Sequence, residues 1–198
     1  MKRSIFIMIF AAVAASAAPK LDSDREQLAT HLDNSAKKFR QAVAGLSEAQ
    51  WNFKAGPDRW SIAECAEHIS ASEDFIFGMA QKSLQAPASP ERKQERMAKD
   101  AMILKRVPDR SQKFQAPEPL RPTNRYANSK GAVKHFAESR KKSLEFVRTA
   151  KADLRAHATE HPAIKEADTH QWLLFMSAHT ERHTAQILEV KADPNFPK

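Results

Sequence analysis

The chain is poor in cysteine and glycine. Its only cysteine is Cys65, which excludes an intramolecular disulfide and leaves the core or a bound ligand to hold the protein together. It has four glycines in 198 residues, and its apolar residues recur every three or four positions instead of alternating. Both features exclude a strand-rich fold and indicate an all-helical one. Long hydrophobic runs are also missing. The run from Ile5 through Ala14 is too short to span a bilayer, and no cysteine stands directly after it to carry a lipid. The formal charge is +8, a balance that attracts anions and membrane surfaces. The basic residues are scattered among acidic ones, however, without the aromatic-basic interleaving of a nucleic-acid surface. A solvated mixed-charge exterior is expected, with no nucleic-acid partner.

What is present begins with a leader pattern. Lys2 and Arg3 precede the short apolar run, and Ala15-Ser16-Ala17-Ala18 follows it. A charged start, an apolar middle and an A-x-A ending make residues 1–17 a secretory signal peptide cleaved after Ala17, the rival reading being an uncleaved anchor. Residues 18–198 are then one exported domain, periplasmic or secreted.

Four long helices are predicted in that domain. Leu28, Leu32, Ala36, Phe39, Val43 and Leu46 form one stripe of a helix over about 22–46. Ser47-x-x-Gln50 is a capping box that opens a short turn, which Gly56-Pro57 breaks. Ser61-x-x-Glu64 is a second capping box and starts a helix running to about Leu84, with Ile62, Cys65, Ile69, Ser72, Ile76 and Met79 on its inward seam. Residues 86–128 are proline-rich; a helical piece over 91–105 is expected, followed by irregular chain. The third long helix is predicted over 129–157, ended by His161-Pro162. It carries Val133, Phe136, Ala137, Leu144, Val147, Ala150 and Leu154 on its stripe, and Arg140 at a position where an apolar residue would be expected. The fourth covers 168–190, with Trp172, Met176, His179, His183, Ile187 and Val190 facing inward. The economical arrangement is a four-helix bundle with a long crossover connection between the second and third helices.

His179 and His183 are four apart on that last helix, so they share one face. Two imidazoles so placed can grip one metal ion, and His68, beside the seam of the second helix, would complete a three-histidine site with open positions. The plain alternative is three core histidines with hydrogen-bond partners. Thr180 stands where a zincin would need glutamate, so the H-E-x-x-H chemistry is excluded. His31 is a spare ligand candidate. Gln186 and Glu64, each one turn from a histidine, are candidates to orient the ligands, or else ordinary solvent-facing polar residues.

Trp60-Ser61-Ile62-Ala63-Glu64-Cys65-Ala66-Glu67-His68-Ile69, with the later His179-x-x-x-His183-x-x-Gln186-Ile187, resembles the DinB-like (YfiT-like) superfamily of metalloenzymes. The likeness extends over nearly all of residues 18–198. It implies a four-helix bundle holding one divalent ion through His68, His179 and His183. It also allows a homodimer. Arg182, Thr184 and Ala185 stand where many relatives have a further histidine or a glycine, which leaves the ligands in place and alters the surroundings. Imidazoles suit zinc, nickel or iron alike. Such a centre supports hydrolysis of a small molecule by metal-activated water. Some members of the superfamily instead transfer low-molecular-weight thiols, a cytoplasmic chemistry at odds with export. A non-catalytic exported metal-binding or stress protein is the other alternative. Glu64 and Arg140 are the candidate catalytic residues. Glu67 and Glu181 are also conceivable general bases. Arg140 either reaches into the bundle towards an anionic substrate group or snorkels outward, and the outward reading is preferred. Trp60 and Trp172 either line a pocket or anchor packing.

Overall fold

Asp22 accepts the backbone N–H of Arg25 and so caps the first helix, α1 (Ser23–Val43), whose buried face is Leu28, Leu32, Ala36, Phe39 and Val43. Gly45, at φ +70°, takes the left-handed turn that ends it. In the computed structural model, which describes residues 22–126 and 128–198, two expected capping boxes form. Ser47 with Gln50 opens α2 (Glu48–Asn52), and Ser61 with Glu64 opens α3 (Ile62–Ser83). The expected signal peptide lies outside the described residues. Between α3 and the next long helix come a short 3-10 turn at Pro90–Arg92, α4 (Lys93–Met97), α5 (Asp100–Arg106) and a second 3-10 turn at Glu118–Leu120. The last long helices are α6 (Ser129–Thr149) and α7 (Thr169–Lys191), the latter opened by a third capping box, Asp168 with Gln171.

Three features differ from the sequence expectation, the third being a pair of strands in a chain expected to be all-helical. The predicted 91–105 helix is broken near Ala98, and α6 stops at Thr149 instead of reaching His157. Arg25 of α1 accounts for the second difference, because its guanidinium donates to the carbonyls of Val147, Ala150 and Ala152. Those carbonyls are thereby satisfied without another helical turn. The chain then forms an antiparallel hairpin, β1 (Ala158–His161) and β2 (Lys165–Asp168). His161 ends β1 and Pro162 opens its turn, so the pair is not a helix stop.

Each of α1 and α3 packs along both α6 and α7. The start of α1 meets the start of α7 through Asp24 and His170, and its end meets the end of α7 through Ala42 and Lys191. These two helices therefore run in the same direction. Ser83 meets Thr169 while His68 meets His179, so α3 runs against α7. Ser70–Ala132 and Phe77–Phe146 make α3 and α6 codirectional. No helix among the described residues is long and apolar enough to cross a membrane.

The bundle core has two apolar clusters, one around Leu32, Ile76, Leu144 and Met176, the other around Phe39, Ile69, Phe136 and Ile187. A polar layer separates them, with one residue from each long helix. Arg140 of α6 pairs with Glu73 of α3 and also donates to Ser35 of α1 and Thr180 of α7. At the far end of the bundle Arg155 gathers Asp24, Asp100 and Asp168, tying α1, α5 and the head of α7 together.

Candidate metal centre

Helix α3 begins at its capping box, which fixes where His68 falls on the turn facing α7. On α7 the four-residue spacing stacks His179 and His183 one turn apart. The three rings meet, with centroids 5.0 Å apart for His68–His179, 4.4 Å for His68–His183 and 4.5 Å for His179–His183. One ligand nitrogen from each lies within 4.8 Å of the others. His68 and His183 are buried, and His179 keeps part of its surface open.

Hydrogen bonds settle which nitrogens face inward. His68 Nδ1 lies 2.8 Å from the Leu120 carbonyl, which can only accept, so Nδ1 carries the proton and Nε2 presents its lone pair. His183 Nδ1 lies 2.8 Å from Gln186 Oε1. Arg110 Nη1 donates to the same oxygen at 3.3 Å, and because arginine has no acceptor the amide can only be turned oxygen-first. His183 Nε2 is therefore also free to bind. His68 Nε2 and His179 Nε2 are 3.2 Å apart. Two nitrogens each about 2.0–2.1 Å from a tetrahedral zinc would sit about 3.3 Å apart, so the His68–His179 pair has the spacing of two ligands on one divalent ion, with His183 within reach of it. Burial holds all three imidazoles below the usual histidine range, and their mutual proximity adds to this for His179 and His183, keeping them neutral as ligands must be.

Three segments brace the centre. Trp60 lies 5.0 Å from the His68 ring and 6.1 Å from that of His183, covering one flank. Phe175, one turn before His179, stacks on it at 6.0 Å. Arg182, buried between the two α7 histidines, donates to the carbonyls of Val107, Asp109 and Gln112 and fastens that loop over α7. Arg110, on the same loop, forms a bidentate pair with Glu189 at 2.8 Å through each nitrogen.

The other predicted residues are placed elsewhere. Glu64 is spent on its capping box and on Lys54, not on a histidine. Arg140 turns inward, against the preferred outward reading. All its donors go to Glu73, Leu32 O, Ser35 and Thr180, which leaves none for a substrate anion. Glu67 binds the backbone N–H groups of Thr123, Asn124 and Arg125. Burial raises its carboxyl, but these donors and the Arg125 side chain outweigh that and leave it below the ordinary range. Glu181 pairs with Lys38. Trp172 anchors the hairpin through Thr159 and packs on His161. His31 lies outside the three-histidine group. Cys65 is fully buried, and burial raises its thiol well above the ordinary range, so it is no nucleophile. A second group of ligand-type side chains, Asp24, Asp100 and His170, converges on Arg155, which already supplies a cation there.

The Leu120 carbonyl and the Arg110–Gln186 contact escaped the sequence reading. A backbone acceptor carries no residue signature, and Arg110 lies in a stretch without periodicity. Gln186 had the one usable signal, its place one turn from His183.

Comparisons with known proteins identify the family and the fold. The model of the DinB superfamily matches residues 31–187, a span containing all three histidines. An uncharacterized Bacillus subtilis protein, YuaE, is 28% identical over 156 residues, covering 75% of this chain and 88% of that protein. Among solved structures, Bacillus subtilis YfiT, described as a probable metal-dependent hydrolase with an unusual four-helix bundle topology, shares the fold with a TM-score of 0.53. That match has 14% identity and covers 87% of this chain and 89% of that one. With a family match across most of its length and a bundle of the same kind, the chain belongs to the DinB superfamily.

Proposed function

We propose that this is an exported metal-dependent enzyme of hydrolase type, acting on a small molecule through one divalent ion held by His68, His179 and His183. One observation carries the reading: three neutral imidazoles converge, two with their outer nitrogens committed to acceptors, and no carboxylate joins them among the described residues. A three-histidine set leaves coordination positions for water or substrate, as catalytic centres do. When bound, a divalent cation there lowers the pKa of water towards about 7 and polarises a carbonyl. The chain's own part is to hold the ligands. Leu120 and Gln186 keep His68 and His183 in the binding tautomer, while Trp60 and Phe175 wall the rings and limit solvent.

Zinc, nickel and iron all suit this donor set. The description of YfiT as a probable metal-dependent hydrolase supports the hydrolytic reading. The leader pattern of residues 1–17 supports export and weighs against thiol transfer. Residues 86–128 serve, in the same reading, as the crossover between α3 and α6 and cover one end of the bundle. Metal-loaded protein screened against esters, amides and thiol-reactive electrophiles tests the proposal. Turnover of an ester or amide that His68→Ala abolishes is expected. Rates indifferent to that substitution contradict metal catalysis.

A further inference from the structure

We propose that Glu67 is a positioning residue for this centre: it fixes the strap of residues 117–125, and so the Leu120 carbonyl that holds His68 in its ligating tautomer. The inference rests on His68 being a ligand.

Leu120 ends a three-residue 3-10 turn in a stretch interrupted by Pro117, Pro119 and Pro122. Prolines donate no N–H, so beyond that single turn no helix or strand ladder sets where the Leu120 carbonyl points. Glu67 does this instead. It is 5% exposed. Its Oε1 accepts from Thr123 N at 2.7 Å and from Arg125 N and Nε at 3.3 and 3.0 Å, while Oε2 accepts from Asn124 N at 2.9 Å. Asn124, at φ +60°, supplies the left-handed turn that lets these N–H groups converge on one carboxylate.

The pair then reaches back along the strap. Arg125, held by Glu67, donates to Pro119 O at 3.1 Å and Arg121 O at 2.6 Å, the carbonyls on either side of Leu120. The Leu120 side chain is buried as well. The carbonyl between those two grips meets His68 Nδ1. Glu67 and His68 are consecutive on α3, so ligand and clamp move as one unit. An imidazole whose outer N–H is held by a carbonyl is oriented and made more basic at the nitrogen that binds metal, and losing such a partner lowers metal affinity on the order of 10–100-fold.

The test uses Glu67→Gln, which keeps the shape but turns an amide NH2 towards N–H donors. Arg125→Gln is the second variant, on a half-exposed side chain whose loss spares the core. In metal-free protein, nitrogen-15 spectra of the histidine rings should show His68 as a single Nδ1–H tautomer in the wild type and as a mixture in each folded variant. Cobalt titration should show altered visible bands and an affinity on the order of 10–100-fold weaker. Variants with native circular dichroism that keep the wild-type tautomer and cobalt affinity overturn the proposal. A wild-type protein that takes up no cobalt or zinc defeats the ligand reading instead; the metal-free tautomer comparison still decides what the strap does.

Discussion

At the scale of single residues, histidines do different jobs here, and hydrogen bonding separates the ligand from the structural ring. His183 is turned by Gln186, which Arg110 in turn holds oxygen-first. Replacing Gln186 with alanine should weaken zinc binding on the order of 10–100-fold with little change in melting temperature of the metal-free protein. Unaltered zinc affinity in a competition titration would show that Gln186 only decorates the surface. His161 is structural: it packs on Trp172 and Phe175, its Nδ1 accepts from Ala163 N, and its buried Nε2 has no partner. Burial lowers its pKa to about 4, and burial together with Arg155 does the same for His170. A histidine whose pKa falls on folding favours the neutral state. The stability it confers is complete above the unfolded value near 6.5 and is lost as pH drops through about 4. Burial raises Asp168 to about 7, which acts in the opposite sense by favouring the fold at low pH. His161 lies outside that charge cluster, so His161→Phe should shrink the fall in melting temperature between pH 6.5 and 4. A fall as steep as in the wild type would count against a neutral buried His161. The H-x-x-x-H pair could be read from sequence because helical spacing alone puts both rings on one face. Gln186, which turns His183, was within reach of the same spacing rule; the Leu120 carbonyl that turns His68 was not, being a main-chain oxygen, nor was Arg110, 76 residues from Gln186.

Secondary-structure elements were legible where side chains cap or stripe them. The boxes at Ser47 and Ser61 mark their helices without tertiary help. The end of α6 and the hairpin were hidden because they depend on distant partners. Arg25 terminates α6 from another helix, and the strands are four residues each, with little β-branched content, held by Trp172 and the fully buried Ala167. Arg140 on the apolar stripe of α6 finds its reason only in three dimensions, as the centre of a layer with one residue from each long helix. Arg140→Met leaves Glu73 buried without its partner and should cost about 3–5 kcal/mol. Arg140→Met combined with Glu73→Leu, which removes both charges, should recover most of that loss. Chemical denaturation of the three proteins checks this; a double variant no better than the single one would mean that the layer's packing matters more than its charge.

Across the whole molecule, α1 runs with α7 and against α6, while α3 runs with α6 and against α7, so the three histidines join an antiparallel pair that connects the bundle's two halves. A metal there binds only the folded state, and an ion at 100 times its Kd adds about 2.7 kcal/mol. Chelation should therefore lower the melting temperature, and an unchanged value with release of the metal verified would contradict that coupling. The central claim is tested most directly by metal analysis of untagged protein after exposure to Zn²⁺, Ni²⁺ or Fe²⁺. One divalent ion per chain is predicted, absent from a folded variant carrying His179→Ala and His183→Ala. A native fold that holds no ion, or a double variant that retains it, would contradict the account.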